Sequence, residues 1–212
     1  MSNRNLPEIR IDYSWLLRGN VSEHLNKLWG DGTPLRSEDR YRLIAKKYRN
    51  AWEPFADKIL NGMCDITGLT FRQNIIDVYI APWFAAFSDP MVIGVKYEPD
   101  VFVDVLTHEL LHRLLTDNNS VPSTLRLLPT WEKMFGKNHS FITLVHIPVH
   151  AIHEAIYLDV LHDPNRLVRD KVSHQQNKHA DYVKAWEYVE KHGYKEIINQ
   201  LKESYSKMAL NK

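Results

Sequence analysis

The period of the apolar positions changes along the chain, and each change marks an element. Ile9-Arg-Ile11-Asp-Tyr13 alternates apolar and polar residues, which predicts a strand, and Val21 to Trp29 has the spacing of a short helix. Gly30-Asp-Gly-Thr-Pro34 breaks the pattern. From Ser37 to about Leu60, Tyr41, Ile44, Ala45, Tyr48, Trp52, Phe55, Ile59 and Leu60 follow one helical stripe, interrupted by Pro54. Two strands are predicted next, Ile75–Ile80 and Met91–Tyr97, separated by a loop from Ala81 to Pro90. The apolar stretch Val101–Leu115 then predicts a buried helix, with Asp100 as its N-cap after Pro99 and a stop at Thr116-Asp-Asn-Asn-Ser120. A second apolar helix spans Phe141 to Leu161, and the tail divides at Gly193 into amphipathic helices of about His179–Lys191 and Lys195–Met208. Together these predict an α+β fold: one mostly helical domain over residues 1–212, a small antiparallel or mixed sheet before the Val101 helix, and a C-terminal helical extension over 174–212.

Composition narrows this picture. With 212 residues, 44% hydrophobic and 25% charged, the chain is an ordinary globular one, long enough for a compact domain. A formal net charge of +1 provides no field for nucleic acid or an anionic membrane, so neither is expected as a partner. The most basic run, Arg166 to Lys178, reads as a solvated surface. Cys64 is the single cysteine, which excludes an internal disulfide and a cysteine-based zinc site and fits a reducing compartment. The first ten residues have no apolar signal core, and no segment offers about eighteen uninterrupted apolar residues, so a soluble cytoplasmic protein is expected.

The chemistry is concentrated in His108-Glu109-Leu110-Leu111-His112, an HExxH pattern inside the Val101–Leu115 helix. Residues four apart share a helix face, so both imidazoles can reach one ion about 2 Å from each nitrogen, while Glu109 reaches a water on that ion. Leu106, Leu110, Leu111, Leu114 and Leu115 are expected to keep the surroundings dry, which strengthens charge interactions. A catalytic Zn2+ takes three protein ligands plus water, so a third must come from elsewhere. The second apolar helix puts His146, His150, His153, Glu154 and Tyr157 within an arc of roughly 100°, with Asp159 pointing nearly the opposite way. Pro148 either opens that helix or kinks it, and both leave His150 and Glu154 stacked.

The order strand, loop, strand, HExxH helix over residues 75–163 resembles the zincin metallopeptidases, whose small sheet has an edge strand along the cleft. The resemblance implies zinc-dependent hydrolysis of a peptide bond, with His108 and His112 as ligands, Glu109 as general base, and a polypeptide substrate beside Met91–Tyr97. His150 is favoured as third ligand with Glu154 as the carboxylate behind a ligating imidazole. Glu154 as ligand is the alternative, as in the gluzincin branch, although Leu158 stands where that branch has an aspartate; Glu132, twenty residues after His112, ranks last. His146, His153 and Tyr157 are candidate donors to the oxyanion. The metzincin pattern is excluded, since Arg113 to Asn119 lacks its glycine and third histidine. Competing readings are a zinc hydrolase of a small amide, or a non-enzymatic zinc-stabilised interaction protein presenting Trp83, Phe84 and Phe87 to a partner.

Overall fold

The structure is a computed structural model and describes residues 6–18, 38–82, 85–119, 124–177 and 179–210, the side chains of 18, 124–126 and 209–210 excepted. The helix expected over Val21–Trp29, and Trp83 and Phe84 of the aromatic loop, lie outside the described residues. The fold class is the mostly helical α+β one expected, with a mixed four-stranded sheet. Backbone proximity groups the chain into two units, residues 1–57 with 73–113, and residues 58–72 with 114–212.

The first unit holds the sheet, in the order β1 (Glu8–Tyr13), β2 (Ile75–Ala81), β4 (Met91–Gly94), β3 (Phe87–Ser88). Strand β2 buries Ile76, Val78 and Ile80 and exposes Ile75, Asp77 and Tyr79, the period-two signature that made it legible. β1 runs parallel to β2 in the register Glu8↔Ile75 through Tyr13↔Ile80, and a parallel pair needs a crossover. Within the described part of that crossover, helix α1 (Glu38–Trp52) turns Tyr41, Ala45, Tyr48 and Trp52 inward. Tyr41 stacks on Tyr13 of β1, and Arg49 donates to the Ile11 carbonyl at 2.6 Å.

Two expectations about β4 are corrected. The strand ends at Gly94 rather than Tyr97, because the chain must turn: Tyr48 Oη donates to the Tyr97 carbonyl at 2.7 Å, and the next helix, α3 (Pro99–Thr116), begins two residues later. Nor is β4 an edge strand. Val92–Gly94 pair in parallel with β2, while Met91 and Val92 pair with β3, so the edge on that side is the two-residue β3. All four β4 residues are buried, as in a strand covered on both faces.

Helix α3 also starts earlier than expected. Pro99 and Asp100 belong to its first turn, and the Phe102 amide bonds to the Glu98 carbonyl; proline suits this position because an N-terminal amide has no helical partner anyway. Tyr48 lies flat on Phe102, with ring centroids 4.0 Å apart, and Arg113 pairs with Asp89 at 3.2 Å, so α1 and the β3–β4 turn hold the helix near its two ends.

The second unit is built on α5 (Phe141–Ala155), which continues without a break into one π-helical turn, Ile156–Val160. Ser140 caps α5 by accepting from the Thr143 amide at 3.1 Å, which places His146 inside the helix and Pro148 beyond its first turn, so the proline does not open it. Phe141–Val160 is the one stretch among the described residues long and apolar enough to cross a membrane, and 72% of it is buried in the fold, as for a core helix. Around it lie α2 (Ala56–Thr67), separated from α1 at Pro54, α4 (Thr124–Phe135), α6 (Pro164–Gln176), α7 (Ala180–His192) and α8 (Tyr194–Leu210). Gly193, at φ +81°, reverses the chain between the last two helices, as its position in the sequence suggested.

Gly62 marks the closest approach of α2 to the π-helical turn. A Cβ there would stand 2.8 Å from Val160 Cγ2 and 3.2 Å from Ile156 Cδ1. Alanine in a helix interior is normally worth about 1 kcal/mol over glycine. Here overpacking outweighs that gain, and Gly62→Ala is expected to destabilise by about 1–3 kcal/mol in urea unfolding, with Val160→Ala in the same chain recovering most of the loss.

Candidate metal centre

Helix α3 is buried on nearly every face. Leu106, Leu110, Leu111, Leu114 and Leu115 are all at most 1% exposed, as the sequence predicted, and among them lie buried Asp104, Thr107, His108 and Glu109. The last carbonyls of the helix are met in the second unit, where Asn118 Nδ2 donates to the Leu114 carbonyl at 2.8 Å.

The HExxH pair has the separation that its chemistry requires. His108 Nε2 and His112 Nε2 stand 3.1 Å apart. Two nitrogens each about 2.0–2.1 Å from a tetrahedral ion are about 3.3 Å from one another, so the pair fits as two ligands of one zinc-sized cation with little rearrangement. Glu109, between them in sequence, is 7% exposed, and burial pushes its carboxyl up to about 8. A carboxyl so raised is protonated in the metal-free chain near neutrality and becomes a base when a cation draws it back toward ionisation. Asp104, one turn before His108 on the same face, is a buried carboxylate that the sequence reading passed over.

The second unit gathers the polar residues of α5. His146 is 7% exposed, and its Nδ1 donates to the Ile142 carbonyl at 2.7 Å, which puts the acceptor lone pair on Nε2. Burial lowers its pKa to about 4, so the ring is neutral at ordinary pH. His150, fully buried, stacks on Trp186 of α7 with centroids 4.2 Å apart and planes within 12°. The donors expected at His153 and Tyr157 both turn to Asp170 of α6: His153 Nδ1 is 3.4 Å from Oδ2, and Tyr157 Oη donates to the same oxygen at 3.3 Å. Glu154 faces Lys171, 3.8 Å away, and that lysine also pairs with Glu190 at 2.9 Å. Glu132 lies half-buried in α4.

Asp170 and His174 are the residues that sequence reading missed. They lie in the run taken for a solvated surface, yet the side chain of Asp170 is 14% exposed and that of His174 is 16% exposed, and His174 Nε2 bonds to Asp170 Oδ1 at 2.9 Å. Burial works to raise the Asp170 carboxyl, but the His174 bond, the His153 ring and the Tyr157 hydroxyl outweigh it and hold it below the ordinary carboxylate range. Arg166, Asp170 and His174 recur at four-residue spacing along α6, and Arg166 too is only 5% exposed.

No family model, no curated protein and no solved structure matches the chain.

The two sets of buried groups respond to pH in opposite directions. Burial lowers His153 and His146 to about 4, so the unfolded chain takes up their protons first; their contribution to stability is whole above the ordinary imidazole value of 6.5 and is lost as the pH falls toward 4. Glu109 is raised from 4.5 to about 8, so its contribution is whole below 4.5 and is lost as the pH rises through 8. In the metal-free chain, Glu109→Gln is therefore expected to raise the urea midpoint at about pH 8 and to leave it nearly unchanged at about pH 4, whereas His153→Gln should lessen the loss between about pH 6.5 and 4.

Proposed function

We propose that the protein is a zincin-type, zinc-dependent peptide hydrolase in which His108 and His112 hold the ion and Glu109 is the general base. The observation that carries this reading is the 3.1 Å separation of the two Nε2 atoms on a buried helix, with Glu109 beside them.

When bound, zinc would supply Lewis-acid activation of a water and of the substrate carbonyl. The remaining chemistry belongs to the chain. Glu109 accepts the proton of the attacking water at a carboxylate oxygen and returns it to the departing amine, so that the C–N bond breaks with no net proton change at the residue. The leucines around it exclude bulk water and strengthen that transfer. The substrate class is a polypeptide, and the single buried Cys64 accords with a cytoplasmic, reducing setting.

Metal analysis of the purified chain is expected to find about one zinc per molecule, lost in His108→Ala and in His112→Ala. Glu109→Gln should keep the zinc while lowering kcat on unfolded-protein substrates by about 10²–10⁴-fold. Zinc bound with equal cleavage by Glu109→Gln would refute the role given to that residue, and zinc bound with no cleavage by the wild type would turn the reading to a zinc-stabilised interaction protein.

A further inference from the structure

Asp104 is a buried group of α3 that the metal reading leaves unused. It lies one turn before His108, which is itself one turn before His112, so a polar stripe at four-residue spacing runs along one face of the helix. Asp100 extends the stripe by a further turn and is exposed, whereas Asp104 is only 7% exposed. All of these residues belong to the first unit.

A carboxylate so enclosed needs a hydrogen-bond donor. On a helix the side chains within reach are those three and four residues away, here Asp100, Val101, Thr107 and His108. Asp100 is itself an acceptor, and Val101 has no polar side-chain atom. Thr107 already gives its hydroxyl proton to the Val103 carbonyl, at 2.7 Å. His108 is therefore the donor that this face of the helix offers. Its ring has a nitrogen to spare: Nε2 is the atom turned to His112 Nε2, 3.1 Å away, so Nδ1 is the one that can carry a proton to a partner.

Asp104 is not placed to ligate. Eight residues of helix set it about 12 Å along the axis from His112, two turns rather than the one that separates the paired imidazoles. A carboxylate there serves behind a ligating ring, where it fixes the tautomer, holds the ring plane and makes the ligating nitrogen more basic. Together with Glu109 it also supplies two buried negative charges, which match a divalent cation.

We infer that Asp104 is a positioning residue for the metal: its carboxylate accepts a hydrogen bond from His108 Nδ1 and so presents Nε2 to the ion. This rests on the reading of His108 and His112 as ligands given above, and it adds the group that orients the first of them.

Two measurements on the full-length chain test it. In the metal-free protein, at a pH where the ring is neutral, long-range proton–nitrogen NMR of the imidazoles should show His108 protonated at Nδ1 in the wild type and a mixture of tautomers in Asp104→Ala. Zinc affinity is then measured by competition with a chromophoric chelator, on variants whose circular dichroism shows them folded. Asp104→Ala should bind about 10–100-fold more weakly than wild type, and Asp104→Asn, which keeps an acceptor oxygen without the charge, should lose less. Val103→Ala, a buried change at the preceding position, should lower the unfolding midpoint and leave both zinc affinity and the His108 tautomer alone, which separates positioning from general destabilisation. A wild-type His108 protonated at Nε2 would overturn the inference, as would wild-type affinity in Asp104→Ala. Failure of the wild-type chain to take up zinc at all would defeat the metal reading and the role built on it, an outcome distinct from a chain that binds zinc with Asp104→Ala unimpaired.

Discussion

Burying ionisable groups on an apolar helix is the constraint around which this protein is organised. Helix α3 carries two imidazoles and the buried carboxylates of Asp104 and Glu109 among side chains that are mostly leucine, valine and phenylalanine. Removing such groups from water costs several kcal/mol each unless they are neutralised, hydrogen-bonded or bound to an ion. The raised Glu109 carboxyl shows the first of these responses in the metal-free chain. A divalent cation, as proposed, would supply the third, because the same desolvation that penalises the empty centre would strengthen every charge interaction in the filled one. The aromatic clamp of Tyr48 on Phe102 and the Arg113–Asp89 pair serve that helix by fixing where it begins and how it ends.

The second unit meets the same constraint differently. Its buried imidazoles on α5 are met by hydrogen bonds and ring packing: His146 by a backbone carbonyl and Tyr182, His150 by Trp186, His153 by Asp170. Asp170 is the hub of that arrangement, taking His153, His174 and Tyr157 on its two oxygens. The π-helical turn contributes as well. It shifts the phase of the chain after Ile156, and Tyr157 sits at its start with its hydroxyl directed to α6.

Much of this was legible in the sequence, and the reasons are specific. Alternation in Ile75–Ala81, the Pro54 break and Gly193 each reflect a local cause, so strand, helix pair and tail division follow directly from residue order. The HExxH helix was legible because ligand spacing and helix period coincide. The end of β4 was not, since Tyr97 is turned by a hydrogen bond from Tyr48, forty-nine residues away in the chain. The partners of the α5 histidines were hidden for the same reason. Asp170, His174 and Tyr182 are polar residues in polar stretches, and nothing local distinguishes a charge bound for solvent from one bound for a buried imidazole. Periodicity locates the helix face; only long-range packing says which face is covered.

The central claim, that His108 and His112 of α3 hold a zinc ion, is most directly tested by X-ray absorption at the zinc edge on the chain loaded with one equivalent of the metal. The account predicts a first shell that includes imidazole nitrogens at about 2.0–2.1 Å, with the outer-shell scattering characteristic of histidine rings, and the loss of that scattering in His108→Ala. A shell of oxygens alone, as for zinc held adventitiously by surface carboxylates or left hydrated, would contradict it.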